Sequence, residues 1–324
     1  MRVNLLVAIS KLQNGEVVAI PTETVYGLAA DASNENALRQ IYAIKERPAD
    51  NPLIVHIASI NQVQDWAAEF SPLAQKFAKA FWPGPFTLVL PAKTSVSTIL
   101  RAGEPTVALR VPSHPLTLQL LKQSGLSLAA PSANKYTQLS PTTAAHVAKS
   151  LGDALPVLDG GACKVGVEST IVSVHGQDWQ LLRHGMITEA QITNIAGKTA
   201  LSNTENCNIK NLALPKVPGQ HILHYSPRTP TFLFNEKHAL NNALEKLTSE
   251  KVSCVVLNLG EQAIEAEHMI CLPNTPELVA EALYGALHRL DALGADRILV
   301  HMPPETAEWA AITDRLTRAG QRFS

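Results

Sequence analysis

A chain of 324 residues is about twice the length of an ordinary domain, so two domains are expected, each large enough to bury its own core. Its 46% hydrophobic and 17% charged residues fit a compact soluble protein, and no apolar run approaches the ~18 residues needed to cross a bilayer. With 27 Lys and Arg against 28 Asp and Glu, the net charge of −1 argues against broad, charge-driven nucleic-acid binding and leaves room only for a local basic cleft. The opening MRVNLLVAISKLQNGE has a short apolar stretch and no small-residue cleavage site, so it reads as an amphipathic helix over 3–14 rather than a signal peptide, and the cytoplasm is the expected location. VVAIP, a helix over 35–46, LIVHI, FAKAFW and FTLVLPA follow. TVALRVP, LTLQLLKQSG, LSLAAPS and TAAHVAKSLG continue the alternation, and PVLDGG, STIVSV and WQLLRHG read as consecutive closing strands.

This pattern predicts an α/β domain with a twisted mixed sheet over 1–200. From 201 to 229 the periodicity fades into Asn, Thr, Lys and Pro, which marks an interdomain linker. After it, TFLF, ALNNALEKL, CVVLNLG, MICLP, ELVAEALYGALHRLDAL, RILVHMP and TAEWAAITDRLTRAG repeat a strand and helix rhythm. They predict a smaller Rossmann-like α/β domain over 230–324. Cys163, Cys207, Cys254 and Cys271 lie far apart with no CxxC pair, so ordinary reduced thiols are expected. His221 and His224 have HxxH spacing but no clear third ligand, so no protein-held metal is expected.

Chemistry concentrates in three tracts. The first is PTETVYGLAADA at 21–32 with KER at 45–47 and NPLIVHI at 51–57; the second is APSAN at 130–134 with SPT at 140–142; the third is VGVEST at 165–170. Neither familiar nucleotide signature is present: no GxGxxG follows a strand, and the Gly161–Gly166 run is followed by Val167 and Glu168 where a phosphate loop needs Lys and Ser or Thr. A bound nucleotide would therefore be held by cations and hydroxyls, and Lys45, Arg47, Arg110 and Arg183 are the cations near these tracts. Lys45 and Arg47 end a helical segment, where capping the helix dipole is the competing explanation. Arg110 lies in an alternating strand, where it must face solvent or a paired anion, and a guanidinium suits a carboxylate. Ser140 before Pro141 has the form of an N-cap followed by proline at the first helical position, which also exposes N–H groups to an anion.

The three tracts, in this order, resemble the threonylcarbamoyl-AMP synthase (YrdC-like) family in its long two-domain form, and PGQHILHYSP at 218–227 is similar to that form's linker. The resemblance implies a YrdC-like fold for the first domain and assigns L-threonine to Thr24, His56, Arg110, the Ala130 backbone and Ser169, with Arg110 on the carboxylate. It assigns ATP to Lys45, Arg47, Asn51, Thr106, Ser132, Asn134, Ser140, Arg183 and Tyr225, the last on a linker that covers the active site. A site that hydrogen-bonds a substrate hydroxyl can reject analogues lacking it by ~10⁴-fold, whereas one missing methyl is worth only ~1–3 kcal/mol, so valine is easier to reject than serine.

The implied reaction converts L-threonine, bicarbonate or CO2, and ATP into L-threonylcarbamoyladenylate and pyrophosphate, with magnesium on the polyphosphate. No catalytic nucleophile is expected; positioning and charge neutralisation carry the rate. The product would pass to a threonylcarbamoyl transferase complex that modifies the adenosine beside the anticodon, with direct tRNA contact left open. The alternatives are a non-catalytic module binding double-stranded RNA or tRNA, disfavoured by the near-zero charge, and a carbamoyl-phosphate-using enzyme, whose accompanying segments this chain lacks.

Overall fold

The computed structural model describes residues 1–201, 215–219, 225–260, 266 and 268–323. Cys207, His221 and His224 lie outside the described residues, as does most of the expected linker. In chain order the first half forms β1 (Arg2–Val3), α1 (Leu5–Gln13), β2 (Val18–Ile20), β3 (Gly27–Asp31), α2 (Glu35–Lys45), β4 (Ile54–His56), α3 (Val63–Trp66), α4 (Pro72–Phe81), β5 (Phe86–Pro91), α5 (Thr98–Arg101), β6 (Thr106–Arg110), α6 (Pro115–Ser124), β7 (Leu128–Ala129), α7 (Ala144–Leu151), β8 (Val157–Leu158), β9 (Thr170–His175), β10 (Asp178–Arg183) and α8 (Glu189–Ala196). The second half forms β11 (Thr231–Phe234), α9 (Lys237–Ser249), β12 (Cys254–Leu259), β13 (Met269–Leu272), α10 (Pro276–Asp291), β14 (Arg297–His301), α11 (Ala310–Ala319) and β15 (Gln321–Arg322).

The first sheet has ten strands in the order β1-β8-β2-β3-β7-β4-β6-β5-β9-β10 and mixes parallel with antiparallel pairs. The three closing strands are not neighbours as their sequence order suggested: β8 pairs with β1 and β2 near one edge, while β9 and β10 form a hairpin at the other. β6 lies between β4 and β5 and is buried on both faces, so its apparent alternation does not separate an inner from an outer face. β4 and β6 run parallel with His56 opposite Arg110, which puts both side chains on the same face.

Helix boundaries follow local chemistry. The Asn34 side chain caps α2 by accepting from the Asn36 and Ala37 amides, and Lys45 closes its last turn before Glu46 turns left-handed at φ 54°. The Ser140–Pro141 expectation is corrected here: Thr143 is the N-cap of α7, accepting from the His146 amide, and the Ser140 hydroxyl donates instead to Glu168. A nearby acidic partner outbid the local cap.

The second sheet is wholly parallel, in the order β13-β12-β14-β11-β15. Its α10 and α11 face packs on the first domain, and one apolar cluster joins Val25, Leu139 and Val167 to Leu283, Leu287 and Leu316. Gly166 makes the approach tight: at φ 78°, a Cβ there would sit 2.2 Å from the Ala280 carbonyl oxygen. Glycine is required on both counts.

Candidate functional site

A cleft open to solvent lies where the central strands end. The turn between β2 and β3 gives it Thr22, Thr24, Val25 and Gly27, and β4 gives Ile54 and His56. Arg110 ends β6; Ala130, Pro131 and Ser132 follow β7; Glu168 and Ser169 precede β9; Arg183 ends β10. Arg47, Pro218, Gly219 and Tyr225 complete the wall.

All five residues expected around threonine line this one cavity. Thr22 Oγ1 donates to the Val25 carbonyl at 2.6 Å, so in its 2.8 Å contact with Thr24 it accepts, and Thr24 is the donor. Thr24 Oγ1 in turn accepts from Arg110 at 2.9 Å. Arg110 also donates to Glu23 Oε1 at 2.6 Å and to the Gly84 carbonyl at 3.2 Å, so three of its N–H groups are fixed by the protein. Burial pushes the Glu23 carboxyl up, but the Arg110 charge and hydrogen bond outweigh it and hold that carboxyl below the usual value. Burial, then repulsion from Arg110, drives His56 down to about 3, so its imidazole is neutral in the working pH range. Its Nδ1 is buried without a partner among the described residues. Ser169 Oγ meets Thr87 Oγ1 at 2.8 Å and accepts from Arg183 at 3.1 Å, and the Ala130 amide is bonded to the Ile54 carbonyl.

Of the nine residues expected around ATP, Arg47, Ser132, Arg183 and Tyr225 line the cavity. Arg47 donates to the Pro52 carbonyl, its Nε is buried without a partner among the described residues, and its Cζ lies 5.8 Å from the centroid of the Tyr136 ring. Arg183 donates to the Ser169 carbonyl and hydroxyl and to the Pro218 carbonyl. Among the described residues neither guanidinium has a carboxylate within ion-pair distance. Burial lowers the affinity of both for their protons. A buried cation without a carboxylate at ion-pair distance is costly, and two facing one cavity suit it to anionic charge, although Glu168 at longer range offsets part of the charge of Arg183.

The other five stand behind the lining. Lys45 is buried and donates to the Ser132 and Asn134 carbonyls, riveting the second tract to the end of α2. Asn134 donates to the Lys135 and Gln138 carbonyls, and its Oδ1 has no partner. Thr106 is buried at the start of β6, Asn51 donates to the Asp50 side chain, and Ser140 donates to Glu168 at 2.6 Å. Sequence reasoning did not assign Thr22, Glu23, Gly219 or Glu168. The first, second and last stand inside its tracts, where a neighbouring position had already drawn the role. Gly219 is held by a close approach that a sequence does not display.

Among the described residues no group of three His, Cys, Asp or Glu side chains is placed to hold a metal ion, and no helix is long and apolar enough to cross a membrane. Cys163, Cys254 and Cys271 are free thiols.

Two family models match consecutive stretches: one described as "Telomere recombination" over residues 10–185, and one described as "Threonylcarbamoyl-AMP synthase, C-terminal domain" over 187–320. The chain is 36% identical to the threonylcarbamoyl-AMP synthase of Pyrococcus abyssi, covering 97% of this chain and 93% of that one. It is 39% identical to the Bacillus subtilis protein of the same name, covering 96% and 91%. A crystal structure of P. abyssi Sua5 complexed with L-threonine superposes with a TM-score of 0.88 at 34% identity, over 100% of this chain and 98% of that one. Named synthases along nearly the whole length favour an enzyme over a bare RNA-binding module, and both domains are matched: the chain belongs to the threonylcarbamoyl-AMP synthase family.

Proposed function

We propose that the cavity binds L-threonine on the wall formed by Thr24, His56, Arg110, Ala130 and Ser169, and ATP on the side of Arg47, Ser132, Arg183 and Tyr225, with Lys45, Asn51, Thr106, Asn134 and Ser140 supporting the nucleotide side. The observation that carries the reading is the pair Arg47 and Arg183, two buried guanidinium groups without a carboxylate at ion-pair distance among the described residues, beside a third, Arg110, that is already paired. A polyphosphate satisfies the unpaired two, while an amino-acid carboxylate is small enough for the N–H groups that Arg110 has left. Neutral His56 can accept from the substrate ammonium or hydroxyl without adding a positive charge.

In this reading the neutral threonine amine adds to CO2 derived from bicarbonate and loses a proton to solvent, giving the carbamate of N-carboxythreonine. A carbamate oxygen attacks the ATP α-phosphorus, the bond to the β-phosphate oxygen breaks, and pyrophosphate leaves with that electron pair. The residues hold the reactants in line and neutralise charge as it moves to the leaving group. Magnesium would arrive on the polyphosphate: Glu168 is engaged by Arg315, Ser140 and Tyr284, and although Glu23 Oε2 has no partner among the described residues, the Arg110 guanidinium on Oε1 repels a cation there. We place domain boundaries at 1–200 and 230–324, the activity in the cytoplasm, and the product with a threonylcarbamoyl transferase complex acting on tRNA.

Pyrophosphate release by the purified chain, with threonine and bicarbonate omitted in turn, tests this. Release that requires both supports the synthase; release indifferent to threonine would overturn it.

A further inference from the structure

Glu168 lines the cavity, yet its carboxylate belongs to a network that spans both domains. Oε1 accepts from the Ser140 hydroxyl at 2.6 Å, Oε2 accepts from Arg315 Nε at 2.7 Å, and the Tyr284 hydroxyl lies 3.1 Å from Oε2 and 3.3 Å from Oε1. Arg315 comes from α11 and Tyr284 from α10 of the second domain, and both are buried. Arg315 also donates to the His184 carbonyl at 3.0 Å and to Asp314 at 2.6 Å, and its Cζ lies 5.1 Å from the centroid of the Tyr225 ring. The Tyr225 and Tyr284 rings are 5.9 Å apart.

With ATP placed as proposed, most of these contacts fall on the nucleotide side of the cavity, although the Glu168 carbonyl that Arg315 also reaches leads into Ser169. Ser140, Tyr225 and the residue that follows Arg183 all belong to the nucleotide side. Thr24, His56, Arg110 and Ala130 have no hydrogen bond, ion pair or ring contact with Arg315 or Tyr284. The charge balance points the same way, because an unneutralised Glu168 would repel a polyphosphate entering beside it, and Arg315 supplies the neutralising charge.

We propose that Arg315 and Tyr284 are positioning residues for the nucleotide half of the site: they neutralise and orient Glu168, and through it and Tyr225 shape the wall that ATP meets. The inference rests on the reading that ATP occupies this cavity. It gives the second domain a direct part in the reaction.

The test is steady-state pyrophosphate release by the full chain with ATP and threonine varied separately, for wild type, Tyr284→Phe, Arg315→Met and Arg315→Met with Glu168→Gln. Arg315→Met is expected to raise the KM for ATP about tenfold or more, roughly the effect of losing 1.4 kcal/mol, while the KM for threonine stays within about twofold. Adding Glu168→Gln removes the stranded carboxylate and should bring the ATP value back to within about threefold of wild type. Tyr284→Phe deletes one hydroxyl and keeps the shape, so it decides the matter if Arg315→Met does not fold; an ATP KM raised about threefold is expected. Equal shifts for ATP and threonine, or an unchanged ATP KM in the folded variants, would overturn the proposal. A wild-type chain that released no pyrophosphate would sink the synthase reading instead. Calorimetric titration with ATP would then judge these variants, and unweakened binding would overturn the positioning role as well.

Discussion

Arg110 and Arg47 are both buried cations on one cavity, and their environments predict opposite consequences for the same substitution. Arg110 neutralises Glu23 across a 2.6 Å ion pair with both side chains almost fully buried. Arg110→Met strands that carboxylate and should lower unfolding free energy by about 3–5 kcal/mol, besides weakening threonine binding. Among the described residues Arg47 has no carboxylate at ion-pair distance and its Nε has no partner, so Arg47→Met relieves a desolvation cost. Its ligand-free melting temperature should hold or rise while the KM for ATP climbs about tenfold or more, the trade of stability for function seen at preorganised sites. Denaturant melts without ligand, set beside ATP kinetics, check both; a clearly destabilised Arg47→Met would contradict the anion-receptor argument. Thr24→Val is a finer probe. It removes a hydroxyl that accepts from a guanidinium inside the protein, a bond worth about 1.5–3 kcal/mol to the fold, so unfolding free energy should fall by about that much and the KM for threonine should rise with the ATP value little changed.

At the scale of elements, Pro218, Gly219 and Tyr225 together form part of the cavity wall. Gly219 has φ 90°, and a Cβ there would stand 2.2 Å from the Tyr225 hydroxyl oxygen and 3.4 Å from Arg183 Cδ. Tyr225 itself has φ 60°, a conformation that costs a non-glycine residue about 1–3 kcal/mol and persists only where surroundings impose it. Gly219→Ala should therefore push the two segments apart and raise the KM for ATP about tenfold, with threonine affinity measured by calorimetry left near wild type. An unchanged ATP KM would show that the close approach is incidental. The three tracts were legible in the sequence because each strand end is short and its polar residues adjoin the apolar run that positions them. Ser140 was legible as important but not in its role: the pattern for an N-cap is local, whereas its partner Glu168 is 28 residues away. Arg315 and Tyr284 were not legible at all. Helical periodicity marks them as buried, and only the docking of α10 and α11 reveals that they meet Glu168, at separations of 147 and 116 residues.

The whole molecule carries a pH signature set by that same docking. Burial first, then the charge of His288 and Lys149, takes His146 down to about 4; burial, then Lys149, takes His288 to about 4 against the pull of its bond to the Ser140 carbonyl. The two rings stack at 3.9 Å between α7 and α10, one from each domain. With His56 at about 3 and His175 also lowered by burial, four histidines bind protons more readily in the unfolded chain than in the folded one. Below their ordinary value of 6.5 the unfolded state therefore takes up more protons, and stability falls with pH from about 6.5 toward 4, each such group contributing up to about 1.4 kcal/mol per pH unit. Glu168 acts lower down. Burial raises it, but Arg315 and then Arg183 prevail and hold it at about 2, so its contribution is intact above 4.5 and drains away below. The denaturation midpoint should thus start to fall well before carboxylates titrate. His288→Gln, which keeps a donor for the Ser140 carbonyl but no longer titrates, should flatten the slope between pH 6.5 and 4 and leave the loss below 4.5 in place. If the variant kept the wild-type slope across that upper window, the stacked pair would not be what couples the two domains to pH.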